Sequence, residues 1–301
     1  MTQPPAAAAD RSSTDAAHTS LAAASSASRI AAGTAAEALS GLSRLLVLLW
    51  ILWAVFLLGG FAWGWLSESG RQRIPLGGRM GSSVVLVVVG WTWIAGLAVA
   101  RQPLGAARTA ATWTAWLIAS GMALGAVGDF FNAGLLEALV PLPNPVLGGI
   151  GAFGLGHISY IAGCVVLARR VRLTALRPWI IGLVVWQAVG LIGWYVAAYR
   201  GTEARELLMP ALPYSLLLAG TAGVTMALAL QDRRLVPLAV GAGLFLLSDL
   251  ILAFRLFHEE FPLGGDAVWL TYGPGQMLIV FSIGACVRLI LERGATLEQA
   301  R

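Results

Sequence analysis

An all-α, polytopic membrane helix bundle with eight transmembrane helices is the fold this sequence predicts, and three observations carry it. The chain has 301 residues, of which 58% are hydrophobic and 12% charged. An ordinary globular chain runs about 45–50% apolar and about 25% charged. The apolar excess gathers into windows separated by short polar breaks, each near the ~20 residues that a spanning helix needs. The arginines, finally, alternate in density from one break to the next. A soluble enzyme and a disordered protein are excluded, and so is a disulfide-stapled module, with only two cysteines present.

Taken in order, residues 1–43 form an Ala/Ser/Thr-rich run with scattered charges that cannot build a core, which reads as a disordered cytoplasmic tail. A signal peptide would bring its apolar stretch much nearer Met1, whereas the first begins at Leu45. The spans then fall at 45–66, 82–100, 109–131, 146–168, 178–199, 209–230, 235–254 and 267–287. They define one transmembrane domain over 44–291, followed by a short cytoplasmic tail at 292–301.

All 20 basic residues are arginine, which excludes P-loop, Schiff-base and general-base lysines. The tail, the C-terminus and the loops after spans two, four and six hold 14 of them, and the other four loops hold 6. The richer set is expected to be cytoplasmic, with both termini inside. The net charge of +5 therefore speaks of orientation in the bilayer and not of a nucleic-acid partner. The expected location is a bacterial cell membrane, and nothing in the sequence speaks to oligomeric state.

Ionisable side chains within an apolar span cost about 2.5–3.5 kcal/mol on insertion scales and are functional candidates by default. Asp129 ends span three, His157 lies in span four, Asp249 in span seven and Gln276 in span eight. At about 1.5 Å per residue, Asp129 stands roughly 30 Å along its outward span and Asp249 roughly 21 Å. His157 and Gln276 stand roughly 16 Å and 13 Å below the same face. Agreement in depth across such distant segments predicts a site. Asp129 with Asn132, His157 with Tyr160, and Tyr272 with Gln276 are each spaced to share a helix face. Pro274, between two glycines, is expected to kink span eight beside them.

Two neighbouring carboxyls cannot both ionise easily, so one can act as a general acid while its partner activates water. That division of labour suits opening an acid-labile ether or acetal through an oxocarbenium-like state. His157 is a candidate to orient a carboxyl or carry its proton. Ser248, about 100° around the helix from Asp249, is expected to bond the backbone or the substrate. Metal ligation lacks a tight His/Cys/carboxylate cluster, so neither metal nor cofactor is expected. Most tryptophans, Trp63, Trp65, Trp194 and Trp269 among them, read as span-end anchors. A proton-coupled transporter or channel would also place Asp and His inside a bundle. A non-catalytic lipid-binding protein is the third class.

The stretches GD in span three, GAFGLGHISY in span four, GLFLLSDLILAF in span seven and TYGPGQMLIVFSIG in span eight resemble, in that order, the YhhN-like lysoplasmalogenase family of eight-helix membrane proteins. The likeness is good over about 120–170 and 240–287 and topological elsewhere. What the resemblance implies is hydrolysis of the vinyl-ether bond of a lysophospholipid substrate, the lysoplasmalogen. The products would be a fatty aldehyde and glycerophospho-ethanolamine or -choline. It also implies Asp129 and Asp249 as catalytic carboxylates, with His157, Tyr272 and Gln276 lining the site. A hydrolase of another ether lipid is the nearest alternative.

Overall fold

The computed structural model of the chain describes residues 41–67, 72–99, 105–259 and 261–299. The tail expected over 1–43 lies outside the described residues as far as residue 40. By contacts the chain divides into two units, 1–45 and 46–301, and the bundle is the second. Among the described residues there is no strand, and eight helices are long and apolar enough to cross a membrane. They are α1 (Gly41–Leu66), α2 (Leu76–Ala98), α3 (Ala106–Asn132), α4 (Pro145–Val171), α5 (Leu176–Tyr199), α6 (Arg205–Ala229), α7 (Arg233–Phe257) and α8 (Gly264–Arg293). The protein is an integral, multi-pass membrane protein.

Helix ends follow local chemistry. At the start of α4, Pro145 occupies the first turn, where its missing amide hydrogen costs nothing, and Asn144 Oδ1 accepts from Val146 N at 3.0 Å. The same helix closes with Arg169 and Arg170 in its last turn and a left-handed Arg172. Pro274 is carried inside α8 without interrupting it; the helix breaks instead at Ser282, resumes at Ile283 and continues to Gln299. The segment expected as a C-terminal tail is therefore helical through that residue.

Packing is strongest within the consecutive pairs α3–α4, α5–α6 and α7–α8. In each, two glycines face one another: Gly121 with Gly156, Gly182 with Gly223, and Gly241 with Gly275. A Cβ on Gly121, Gly223 or Gly275 would stand 2.9 Å from the opposing glycine's carbonyl oxygen. The backbones touch because neither residue has a side chain. In the Gly148–Gly151 run, a Cβ on Gly148 would run into the Phe131 ring and one on Gly149 into the Asn132 side chain, whereas Gly151 has nothing within 4 Å.

α8 is the central helix, 61% of its most apolar window being buried, against 17% for α5 and 22% for α1. Leu, Val and Ile side chains stand exposed along α1 and α5, as lipid-facing surfaces require. Trp63 and Trp65 are exposed, as span-end anchors should be, but Trp269 is buried.

Candidate active site

The polar interior is built around α3, α4 and α8. Asp129, buried near the end of α3, accepts two hydroxyl protons on one oxygen: Ser83 Oγ of α2 donates to Oδ2 at 2.6 Å and the Tyr272 hydroxyl of α8 at 2.9 Å. Tyr272 accepts in turn from Gln276 Nε2 at 3.2 Å, and Gln276 Oε1 accepts from the Tyr160 hydroxyl of α4 at 2.7 Å. Five side chains from four helices thus form one continuous chain of hydrogen bonds. The face of α3 that receives them carries glycine. Gly125 lets the Gln276 amide approach, and Gly128 lies flat against the Phe153 ring.

Asp249 sits in a different setting. It lines an apolar pocket, partly open to the exterior and walled by α3 to α7. The Tyr214 hydroxyl of α6 donates a hydrogen bond to Asp249 Oδ2. Ser248 Oγ donates to Phe245 O at 2.7 Å and lies 3.2 Å from Asp249 Oδ1. The expected 100° separation around the helix does not, therefore, keep the two side chains apart. From Asp249 the pocket runs along α7 to Phe257, where Ala198, Leu207 and Phe257 close it with a small apolar cluster. The amides of Thr202 and Glu203 donate to Phe257 O at 2.9 and 3.1 Å, tying the α5–α6 loop to that end.

Aromatic rings join the two carboxyl environments. Phe153 lines the pocket and lies edge-on to Tyr272 at 6.0 Å between centroids; Phe245 lies edge-on to Tyr272 at 5.1 Å and to His157 at 4.5 Å.

His157 touches neither aspartate. Its Nδ1 is 2.9 Å from Thr221 Oγ1 of α6, and its buried Nε2 has no hydrogen-bond partner. The reason is rotational: one side of the His157 ring is taken by Phe245, and Tyr160, one turn on, reaches α8 instead. The Asp129–Asn132 pair is also divided. Asp129 turns into the hydrogen-bonded network, while the more exposed Asn132 lines the pocket. Tyr272 and Gln276 do meet. Among the described residues no group of three or more His, Cys, Asp and Glu side chains is placed to hold a metal ion.

Sequence reasoning missed Ser83, Tyr214, Thr221 and Asp266. Asp266 is buried in the first turn of α8 and accepts from Arg73 N (3.0 Å), Ile74 N (3.1 Å) and Gln72 Nε2 (3.2 Å), holding the α1–α2 connection against that helix. Hydroxyl residues inside spans carry little signal by themselves. The one available cue was a tyrosine in mid-span directly after Pro213, a proline inside a helix.

Compared with known proteins, the model of the YhhN family matches residues 82–283. That stretch runs from α2 to the break in α8 and includes Ser83, Asp129, Tyr214, Asp249 and Tyr272. No curated protein and no solved structure matches the chain.

Proposed function

The chain belongs to the YhhN family, and from that premise we propose that it is a membrane hydrolase of lysoplasmalogens. It would cleave the vinyl-ether bond to release a fatty aldehyde and glycerophospho-ethanolamine or -choline. The observation that carries this reading is a pair of interior aspartates, each held by a tyrosine hydroxyl, one of them on the wall of an apolar pocket. A single hydrocarbon chain suits that pocket, and its reactive end would lie at Asp249.

Vinyl-ether hydrolysis requires a proton delivered to carbon, a site that stabilises the cation, and a water molecule. One carboxyl of the pair, protonated, donates to the outer alkenyl carbon, and the carbon next to oxygen becomes an oxocarbenium ion. The partner carboxylate stabilises that cation and takes a proton from the water that adds to it. The partner, now protonated, gives its proton to the glycerol oxygen, which leaves as the alcohol, while the first carboxylate takes the hemiacetal hydroxyl proton and the chain leaves as aldehyde. One water is consumed and both carboxyls return to their starting protonation. Ser83, Tyr272 and Tyr214 fix the carboxyl orientations, because each hydroxyl donates to one carboxyl oxygen. His157, bonded to Thr221, would shape the wall between the two acids.

The test is product release by the purified protein from matched lysolipids: aldehyde from a vinyl-ether chain, fatty alcohol from an alkyl-ether chain and fatty acid from an acyl chain. Release from the vinyl ether alone supports the proposal. Turnover of the alkyl ether in preference would move the assignment to another ether lipid. Proton or solute flux in liposomes without aldehyde release would move it to transport.

A further inference from the structure

The part of α1 that meets the bundle core is wider than an α-helix. Over Val55–Gly59 it is a π-helix, closed by Gly60 N donating to Val55 O five residues back, and single π turns of this kind recur at functional sites. Val55 and Leu58 are exposed, as a lipid-facing helix requires, but the two residues between them turn inward and grip two different helices. The Phe56 ring lies against Gly81 of α2, where an added Cβ would stand 2.7 Å from its Cδ1, and a Cβ on Gly78 would stand 2.7 Å from the Phe56 carbonyl oxygen. Leu57, fully buried, lies against Gly273 of α8, where a Cβ would run into its Cδ2.

Both gripped helices deliver a donor to Asp129. Ser83 stands two residues beyond Gly81, Tyr272 immediately precedes Gly273, and the two hydroxyls meet the same carboxyl oxygen. The turn that carries Tyr272 is the weakest in α8, because Pro274 has no amide hydrogen to give to Leu270 O. The glycines on either side of Pro274 point about 200° apart, at 100° per residue. Gly275 takes the backbone of α7 at Gly241, and Gly273 takes Leu57 of α1. The proline turn is therefore gripped between a rigid backbone contact on one face and a single side chain on the other. Asp266, earlier on α8, ties the α1–α2 connection to the same helix through the amides of Arg73 and Ile74. A displacement of Tyr272 by about 0.7 Å away from Asp129 stretches their bond from 2.9 Å to about 3.6 Å, where it is no longer one.

We infer that Leu57 is a positioning residue for Asp129: lodged on Gly273, it holds the proline turn of α8 against α7 and so fixes the point from which the Tyr272 hydroxyl reaches the carboxyl. The kinetic consequence rests on the hydrolase reading, and the positioning rests on the packing alone. Leu57 lies ahead of the matched stretch 82–283, so no residue carried over from the family includes it. Without Leu57 the turn can settle into the space left on the α1 side, and Asp129 keeps one donor on Oδ2 where it had two. A carboxyl so released loses the fixed orientation that proton transfer requires.

The test uses full-length protein in detergent. Leu57→Ala empties the space over Gly273, and Leu57→Met, similar in volume, refills it. Vinyl-ether turnover by Leu57→Ala should fall about ten-fold with KM within about two-fold of the parent, and Leu57→Met should stay near the parent. A double-mutant cycle separates positioning from a general loss of stability. If Leu57 acts through Tyr272, Leu57→Ala costs nothing further in a Tyr272→Phe background; effects that multiply overturn the inference. A second readout needs no turnover. The infrared carboxyl band that is lost in Asp129→Asn should move in Leu57→Ala toward its position in Tyr272→Phe, and a band that keeps its parental position overturns the inference. Leu57→Val, one methylene smaller, takes the place of Leu57→Ala if that variant fails to fold. A moved band in a protein that releases no aldehyde keeps the positioning and discards the hydrolase reading; aldehyde release with an unmoved band and multiplying effects does the reverse.

Discussion

Replacing Gly125 by alanine asks whether the hydroxyl chain around Asp129 works as a unit. The added Cβ would stand 2.8 Å from Gln276 Nε2 and 3.4 Å from the Tyr272 hydroxyl. The first contact is about 0.7 Å short of a 3.5 Å van der Waals approach. Gln276 has little freedom to yield, because Oε1 accepts from Tyr160 at 2.7 Å and Nε2 donates to Tyr272 at 3.2 Å. Retreat by that amount stretches the second bond to about 3.9 Å, beyond hydrogen-bond reach. Overpacking costs about 1–3 kcal/mol and an orphaned buried amide about 1–3 more, while Gly to Ala in a helix returns about 0.5–1. The net expectation is a loss of about 1–5 kcal/mol in stability, with turnover falling more than ten-fold. Gly151→Ala is the control, since nothing lies within 4 Å of that position and only the helix gain applies. Thermal midpoints in detergent and aldehyde release are measured on both variants. If Gly125→Ala is as stable and as active as Gly151→Ala, the argument for a close-packed relay fails.

Tyr214→Phe removes the hydroxyl that donates to Asp249; a hydrogen bond to a charged group is worth about 1.5–3 kcal/mol, so kcat should fall about 10- to 100-fold, and an unchanged kcat would remove Tyr214 from the site. Asp232, in the α6–α7 connection, is held below its ordinary value of 3.8 by hydrogen bonds from the Arg234 guanidinium at 2.8 and 3.0 Å. A depressed folded-state value means stability that is present above the unfolded value and lost as pH falls through the folded one. Asp232→Asn should therefore lower the thermal midpoint at neutral pH by the equivalent of a few tenths to about 1 kcal/mol. The gap to the parent should close in strong acid, and a gap that widened there would contradict the assignment.

The bundle was legible because every span announces itself by composition. The helices exceed the apolar windows at their ends, where polar or capping residues such as Asn144 and Arg172 terminate the helix but break the hydropathy. Depth and helical spacing together picked out Asp129, Tyr160, Tyr272 and Gln276, which meet in one network, because residues at one level of a membrane bundle have few places to go. Rotation about each helix was not legible. His157 and Tyr160 share a face yet reach α6 and α8 respectively, a choice made by the rings packed against them. Ser83 and Tyr214 meet their aspartates across 46 and 35 residues of sequence, and no local pattern records such a pairing. Asp266 falls just before the apolar window of span eight, and only the fold of the α1–α2 connection shows the amides it holds.

The central claim, that Asp129 and Asp249 together carry out hydrolysis of a vinyl ether, is tested most directly by aldehyde release from a lysoplasmalogen. Purified Asp129→Asn and Asp249→Asn are compared with the parent at equal occupancy by a saturated alkyl-ether lysolipid. Each amide keeps the shape of the carboxyl and removes its proton chemistry, so each variant should bind the ligand while turnover drops by about 10²–10⁴-fold. Full turnover in both variants would contradict the account.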